Sequence, residues 1–491
     1  MSQSLPALLF FIPFVAALVV TALAPFAPRA ARPLGIVALL GSTLAAVVGW
    51  QRVLSDGTLR TSLGGWAAPL GIELALDPLS ALMAVLVLGT ASIVLAATGA
   101  CLREEFAGRE PFFVALALLL VAGLTGIVVT GDLFNLFVHL EVASLSAYAL
   151  VAAGDRGAPR AGLRYLLIGS FGASLFLAGI GFIYGGTGTL NMADVAERIG
   201  SADPRLVRVG GLLMVTGLAV KMGLYPLHLW MPSAYARGPI SSAALMAPLV
   251  TKVSAYALLR VLFWTFGLGL AVGDLPLAEA TAWLGAAAVV AGGAMAFVQT
   301  DLRRLLAYSS VGQIGIVALG IGLADVPGLT GAVLHITSDA IVKAALFLAA
   351  GTVALRLGIT EVAELHRLRG RAPITSAVLA IGGLSLVGIP PLAGFFGKWY
   401  VLNAALAEGR WAFVAALVFG SLASIGYVFR MIERLYFVPS PLVADDPSHE
   451  GRGGLVLASA LFIVATIALG LGNAWLVEYA VVPALPMAVL P

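Results

Sequence analysis

Cysteine is almost absent from this chain, and lysine is nearly as rare. The single cysteine of the 491 residues, Cys101, excludes an internal disulfide framework and has no companions for a cysteine-held metal or iron–sulfur site. Charge is scarce too: only 11% of residues are Asp, Glu, Lys or Arg while 60% are hydrophobic, which excludes an ordinary soluble domain of this length. Despite 57 glycines, no glycine-rich phosphate loop precedes a helix, and no long polar segment could house a nucleotide-binding domain. Dense basic runs are missing, so the net charge of +3 does not point to nucleic acid. No cofactor and no metal are implied, and energy for any work must come from an ion gradient or a partner.

What the chain has is long apolar runs. Fourteen are each long enough, as helices, to cross a hydrocarbon core of roughly 30 Å, with approximate cores at 6–27, 34–51, 78–100, 111–130, 132–153, 163–185, 207–230, 240–268, 277–298, 305–323, 328–355, 373–404, 411–433 and 455–475. The expected fold class is an all-α polytopic membrane protein. The first run lacks a positive region before it and a small-residue cleavage site behind it, so it reads as a retained span. Arginines decide orientation: the odd-numbered connections carry 17 of the 24 and the even-numbered ones 6, with Arg260 left near the end of the eighth span. Cytoplasmic loops accumulate positive charge, which puts the odd loops in the cytoplasm and both termini on the other side of the cytoplasmic (inner) membrane.

All four lysines, Lys221, Lys252, Lys343 and Lys398, lie inside the apolar runs. An ammonium at the bilayer centre costs at least about 2.5 kcal/mol, so buried lysines are functional by default. Three spans also carry helix breakers. The seventh reads Lys221-Met-Gly-Leu-Tyr-Pro226-Leu-His228-Leu-Trp-Met-Pro232, the twelfth Gly388-Ile-Pro390-Pro391-Leu-Ala-Gly394-Phe-Phe-Gly397-Lys398, and the eighth passes Pro248 four residues before Lys252. Proline removes an N–H and frees carbonyls that need partners within the membrane, so broken helices tend to line cavities. A single kink could simply aid packing. Two break-plus-lysine segments half a chain apart are the pattern of transporter repeats. The expected organisation is three N-terminal spans (1–110), a first repeat (111–268), a second repeat (269–433), and a cytoplasmic loop with the fourteenth span (434–491).

Glu141 sits midway along the fifth span, where a lone carboxylate would need a partner, and Lys221 is the first choice. In the eleventh span His335, Asp339 and Lys343 follow one another at i, i+4 and i+8 along one stripe. The stripe is either a proton relay or a polar seam holding helices together. Lys252 lies too deep to snorkel easily, whereas Lys398 after its break could reach an interface. His228 after Pro226 is a possible relay member or a cap on the broken helix, and His139 reads as structural. Ser338, His335 and Asp339 cannot form a catalytic triad, because one buried helix offers no exposed nucleophile or oxyanion site.

Together, the run Gly131 to Glu141, the Lys221 to Pro232 segment, His335 with Lys343-Ala-Ala-Leu-Phe-Leu, and Pro390-Pro391-Leu-Ala-Gly-Phe-Phe-Gly-Lys398 resemble the antiporter-like membrane subunits of Mrp-type Na⁺/H⁺ antiporters and respiratory complex I. The D-type Mrp subunit is the nearest in pattern, from Gly-Asp-Leu-Phe-Asn-Leu-Phe and Gly188-Thr-Leu-Asn-Met192. The resemblance implies two inverted five-helix repeats, each with a broken helix, and a polar axis at mid-membrane. It carries the charge pair to Glu141 and Lys221, the connecting lysine to Lys252, relay positions to His335 and Lys343, and the exit-side lysine to Lys398. Asp339 departs from it, since a second histidine is usual there. The implied function is translocation of H⁺, or Na⁺ against H⁺, in a complex with other integral membrane subunits. The alternative is a proton-pumping subunit of a redox complex related to complex I or a membrane-bound hydrogenase.

Overall fold

Aspartates, prolines and glycines punctuate the apolar runs and set where helices start and stop. The structure, a computed structural model, describes residues 4–154, 157–439 and 453–486. Its spans in chain order are α1 (Leu5–Leu23), α2 (Ala31–Asp56), α3 (Pro78–Ala97), α4 (Glu110–Val129), α5 (Leu133–Ala152), α6 (Ala158–Thr187), α7a (Pro204–Met222) with α7b (Met231–Arg237), α8 (Ile240–Arg260), α9 (Leu277–Phe297), α10 (Leu302–Leu323), α11 (Val326–Leu357), α12a (Pro373–Val387) with α12b (Ala393–Ala407), α13 (Trp411–Ile432) and α14 (Gly454–Leu471). Twelve of these are individually long and apolar enough to cross a membrane. The two split spans complete the fourteen expected crossings. Most of the thirteenth connection, with His449 and Arg452, lies outside the described residues, as does Arg156.

Five aspartates serve as helix caps. Asp77 closes a capping box with Ser80 at the start of α3, and Asp132, Asp203, Asp301 and Asp325 accept backbone N–H groups in the first turns of α5, α7a, α10 and α11. One departure from the all-helical expectation is an antiparallel hairpin in the second connection, β1 (Leu59–Ser62) with β2 (Glu73–Leu76), in register Leu59 opposite Leu76 and Ser62 opposite Glu73.

Burial separates centre from periphery. The apolar windows of α8 and α10 are 94% buried, against 28% for α1 and α2. Where the surrounding solvent is lipid, the most apolar helices can face outward and those that carry polar side chains go inside, so α8 and α10, with Lys252, Arg260 and Gln313, form the middle of the molecule. Glycines allow the tight approaches: a Cβ on Gly292 would stand 2.3 Å from the Gly312 backbone N, so α9 and α10 touch backbone to backbone.

The same local joint occurs twice. Asp132 pairs with Asn191 and Asp301 with Glu361 as isolated antiparallel bridges. In the first, Leu133 N–H donates to Leu190 O at 2.9 Å and Met192 N–H to Gly131 O at 2.8 Å. In the second, Leu302 N–H donates to Thr360 O at 2.9 Å and Val362 N–H to Thr300 O at 2.8 Å. One joint opens α5 and the other α10. An odd number of crossings separates them, so they lie at opposite ends of the bundle.

The breaks in the seventh and twelfth spans are present, and the expected break at Pro248 is not. Helix α8 runs unbroken from Ile240 to Arg260 through Pro248, then loosens into a π-type turn over Val261–Thr265. A proline inside a buried helix is tolerated where neighbouring helices hold the turn. The real breaks follow glycines in left-handed conformation, Gly223 (φ 67°) after α7a and Gly388 (φ 90°) after α12a, a geometry that costs other residues dearly.

A candidate ion-translocation axis

The break in the seventh span places Lys221 in the last turn of α7a, facing α5. Its ammonium donates to Glu141 Oε1 at 3.0 Å, Ser144 Oγ at 2.8 Å and Tyr148 OH at 3.2 Å, so all three N–H groups are matched. Glu141, Ser144 and Tyr148 share one face of α5 at i, i+3 and i+7. The Lys221 side chain is 5% exposed and that of Glu141 24%, so the carboxylate lies at the edge of the chain and the ammonium inside it. The expected pair is therefore formed. Behind it, Tyr165 meets Tyr148 edge-on with centroids at 4.6 Å and stacks on Trp230 at 4.0 Å. The Trp230 indole returns across the break to donate to Val220 O at 2.9 Å, a carbonyl beside Lys221 that also accepts from Gly223 N–H at 3.0 Å.

At the centre, Lys252 of α8 meets Asp339 of α11 at 2.7 Å, with side chains 1% and 2% exposed. The ammonium also donates to Ala247 O at 3.0 Å. Asp339 looked from its spacing like the middle of a stripe with His335 and Lys343. The three residues do lie along α11, but each finds its partner on another helix.

Beyond this pair, Gln313 of α10 links His335 of α11 to the twelfth-span break. Its Nε2 donates to Leu386 O at 3.2 Å, which leaves Oε1 as the acceptor for His335 Nε2–H at 2.8 Å. Lys398 of α12b donates to Leu386 O at 2.6 Å and Val387 O at 3.1 Å. These are the carbonyls that end α12a, so Lys398 is buried as the cap of its own broken helix and does not snorkel. Lys343 donates to Ser309 Oγ and to Leu306 O, the latter at 3.2 Å. A narrow cavity with room for about one water separates Ser309, Gln313, Lys398, Ser424 and Tyr427.

The structure thus brings six of the sequence-derived residues into partnered positions in three groups: Glu141 with Lys221, Lys252 with Asp339, and His335 with Lys398 through Gln313 and Leu386 O. Lys343 joins α11 to Ser309. His228 lies outside these groups, 2% exposed and stacked on Tyr225 with ring centroids at 5.3 Å. His139 packs against Phe10 with ring centroids at 4.5 Å, in keeping with a structural part.

Sequence reasoning missed Gln313 and Ser309, which stand at i and i+4 on one face of α10, a short polar stripe that could have been read. It also left Arg260 unassigned. That guanidinium binds the Asp77 carboxylate and donates to Tyr256 OH at 2.8 Å, while Tyr256 OH donates to Val128 O at 2.6 Å. Lys252, Tyr256 and Arg260 repeat at i, i+4 and i+8 on α8, a stripe that could have been read. Glu105 was missed as well: its carboxylate accepts from Ile240 N–H, Ser241 N–H and Ser241 O–H at the start of α8, where the helix dipole favours an anion.

With this geometry in hand, the profile of the "NADH:quinone oxidoreductase/Mrp antiporter, TM" family matches residues 130–424. The chain belongs to that family. The matched region contains every residue of the axis. Among relatives, the chain is 39% identical to the N-type subunit of the NADH-quinone oxidoreductase of Desulforudis audaxviator (strain MP104C), covering 99% of each chain. It is 32% identical to the D-type subunit of the Na(+)/H(+) antiporter of Bacillus subtilis (strain 168), over 87% of this chain and 86% of that one. A chain of the membrane-bound sulfane sulfur reductase, an archaeal respiratory membrane complex, superposes with a TM-score of 0.90 at 32% identity, covering 99% of this chain and 97% of that one. The protein is a polytopic membrane protein with the architecture of the family's antiporter-like subunits.

Proposed function

We propose that this chain is the ion-translocating subunit of a multisubunit cation/proton antiporter, carrying protons, or sodium against protons, along the buried axis. Glu141 and Lys221 form the loading pair of the first half, Lys252 and Asp339 join the halves, and His335, Lys343 and Lys398 carry charge through the second, with His228 as an accessory group at the first break. The observation that carries this reading is the row of buried charges held by neighbours on other helices, each able to change partner when the next one changes charge. A scaffold has no use for two buried ion pairs that apolar residues of similar volume would replace at no loss of stability. The two matched Asp joints at opposite ends of the bundle support the division into inverted repeats at 111–268 and 269–433. In that frame the arginine-rich odd loops face the cytoplasm and both termini face outward.

Partners are other integral membrane subunits, as in the complex that supplies the solved relative. The second reading, a redox-driven pumping subunit, is favoured by the likeness to the oxidoreductase's N-type subunit and to the sulfane sulfur reductase chain. Purifying the complex through a tag on this chain and assaying proton flux in vesicles separates the two. Small membrane partners and flux driven by added Na⁺ support the antiporter; iron–sulfur or flavin partners, with flux only on electron transfer, overturn it in favour of the pump. Wild-type flux after loss of Glu141 would remove the axis from either.

A further inference from the structure

Three arginines from three helices meet at one opening beside the seventh-span break. Arg164 of α6, Arg237 of α7b and Arg304 of α10 line a cavity of about 200 Å³ together with His228, Ser233 and Tyr308. Among the described residues, no acidic side chain lines it. Among the same residues, none of the three guanidinium groups has a carboxylate partner in an ion pair. Contrast Arg260 and Arg410, which are paired with Asp77 and Glu279. Three like charges sharing one opening raise the local potential, and an anion lowers it. The floor of the opening is aromatic: His228, 2% exposed, meets Tyr308 with ring centroids at 6.3 Å.

We propose that this opening is a binding site for the phosphate of an acidic phospholipid. Guanidinium forks match phosphate oxygens geometrically, and Ser233 O–H and Tyr308 O–H add neutral donors. The opening lies at the arginine-rich ends of α6, α7b and α10, where spans leave the bilayer and headgroups sit. Leu163 and Leu167 beside Arg164, and Leu229 in the opening, are 56%, 61% and 61% exposed and offer an apolar track for an acyl chain. Basic pockets between spans on the positively charged face are the usual form of headgroup recognition. Solvated arginines at a membrane surface would instead be scattered singly. The proposal rests on the opening alone and is read by binding, so it stands or falls separately from the translocation axis, although the bound headgroup would lie directly over His228.

The test is native mass spectrometry of the full chain released from nanodiscs made with phosphatidylglycerol, with phosphatidylcholine, or with phosphatidylcholine plus inorganic phosphate. Wild type is expected to retain phosphatidylglycerol over phosphatidylcholine, and Arg164→Gln/Arg237→Gln/Arg304→Gln to weaken that retention at least about tenfold. Arg205→Gln/Arg208→Gln, at the other end of the bundle, keeps wild-type retention. Arg304→Gln alone, with a partial loss, stands in if the triple variant fails to fold. Protection from thermal unfolding by inorganic phosphate, lost in the same variant and without lipid preference, identifies the anion site but assigns it to free phosphate. Equal retention of both lipids with no effect of phosphate, or unchanged phosphatidylglycerol retention in the triple variant, overturns the proposal.

Discussion

Lys252 and Asp339 face each other at 2.7 Å across the interface of α8 and α11, and both are almost wholly removed from the surface. The carboxylate at position 339 closes the contact between these two helices as an ion pair. Breaking such a pair from one side leaves a bare buried charge, at a cost of about 3–5 kcal/mol. Asp339→Asn and Lys252→Met should each lower the midpoint of thermal unfolding in detergent. The double change Lys252→Met/Asp339→Leu should recover most of that loss, and a double variant no more stable than the singles would show that the pair is not isolated in this way.

Glu141 and Lys221 make a different prediction, because the carboxylate lies at the edge of the chain. Glu141→Ala or Lys221→Ala should abolish ion transport in vesicles while leaving assembly largely intact, since Ser144 and Tyr148 still solvate Lys221 in the first variant. Wild-type flux in both would take the pair out of the mechanism.

The two breaks are closed by different donors, and that difference can be measured. Trp230→Phe keeps an aromatic ring against Tyr165 but loses the N–H to Val220 O, which keeps Gly223 N–H, so the change should cost about 0.5–1.5 kcal/mol with transport reduced rather than abolished. Lys398→Met strips donors from Leu386 O and Val387 O at once. It should destabilise more than Trp230→Phe and stop flux; equal, mild effects on both would argue against Lys398 as cap and carrier.

Gly397 sits where α12b presses against α11. A Cβ there would meet His335 Cβ at 2.8 Å and the His335 backbone N at 2.9 Å. Gly397→Ala should therefore move α12b off His335 and lower stability by about 1–3 kcal/mol. Cysteine cross-linking between α11 and α12b, in a Cys101→Ser background, should fall in yield, and an unchanged yield contradicts the packing described.

Much of this was legible from the chain. Runs of apolar residues carry the spans, and glycine–proline clusters carry the breaks at Gly223 and Gly388, because a left-handed glycine before a proline leaves few helical alternatives. The pairing of Glu141 with Lys221 was legible because a buried charge demands a partner. Pro248 misled, since a proline in sequence does not reveal whether packed neighbours will hold the turn. The partner of Asp339 was hidden for a related reason: spacing tells which residues share a face of α11, and only tertiary packing tells which helix that face meets. Gln313, Ser309 and Glu105 act through contacts 73, 34 and 136 residues distant along the chain, which no local pattern encodes.

The central claim is that buried charge, not merely the fold that encloses it, moves ions through this subunit. It is tested most directly by cation-dependent proton flux in vesicles containing the complex with Lys252→Met/Asp339→Leu, compared with wild type at equal incorporation. The axis predicts a folded, assembled complex with flux at background. Flux at the wild-type rate through that apolar centre would contradict it.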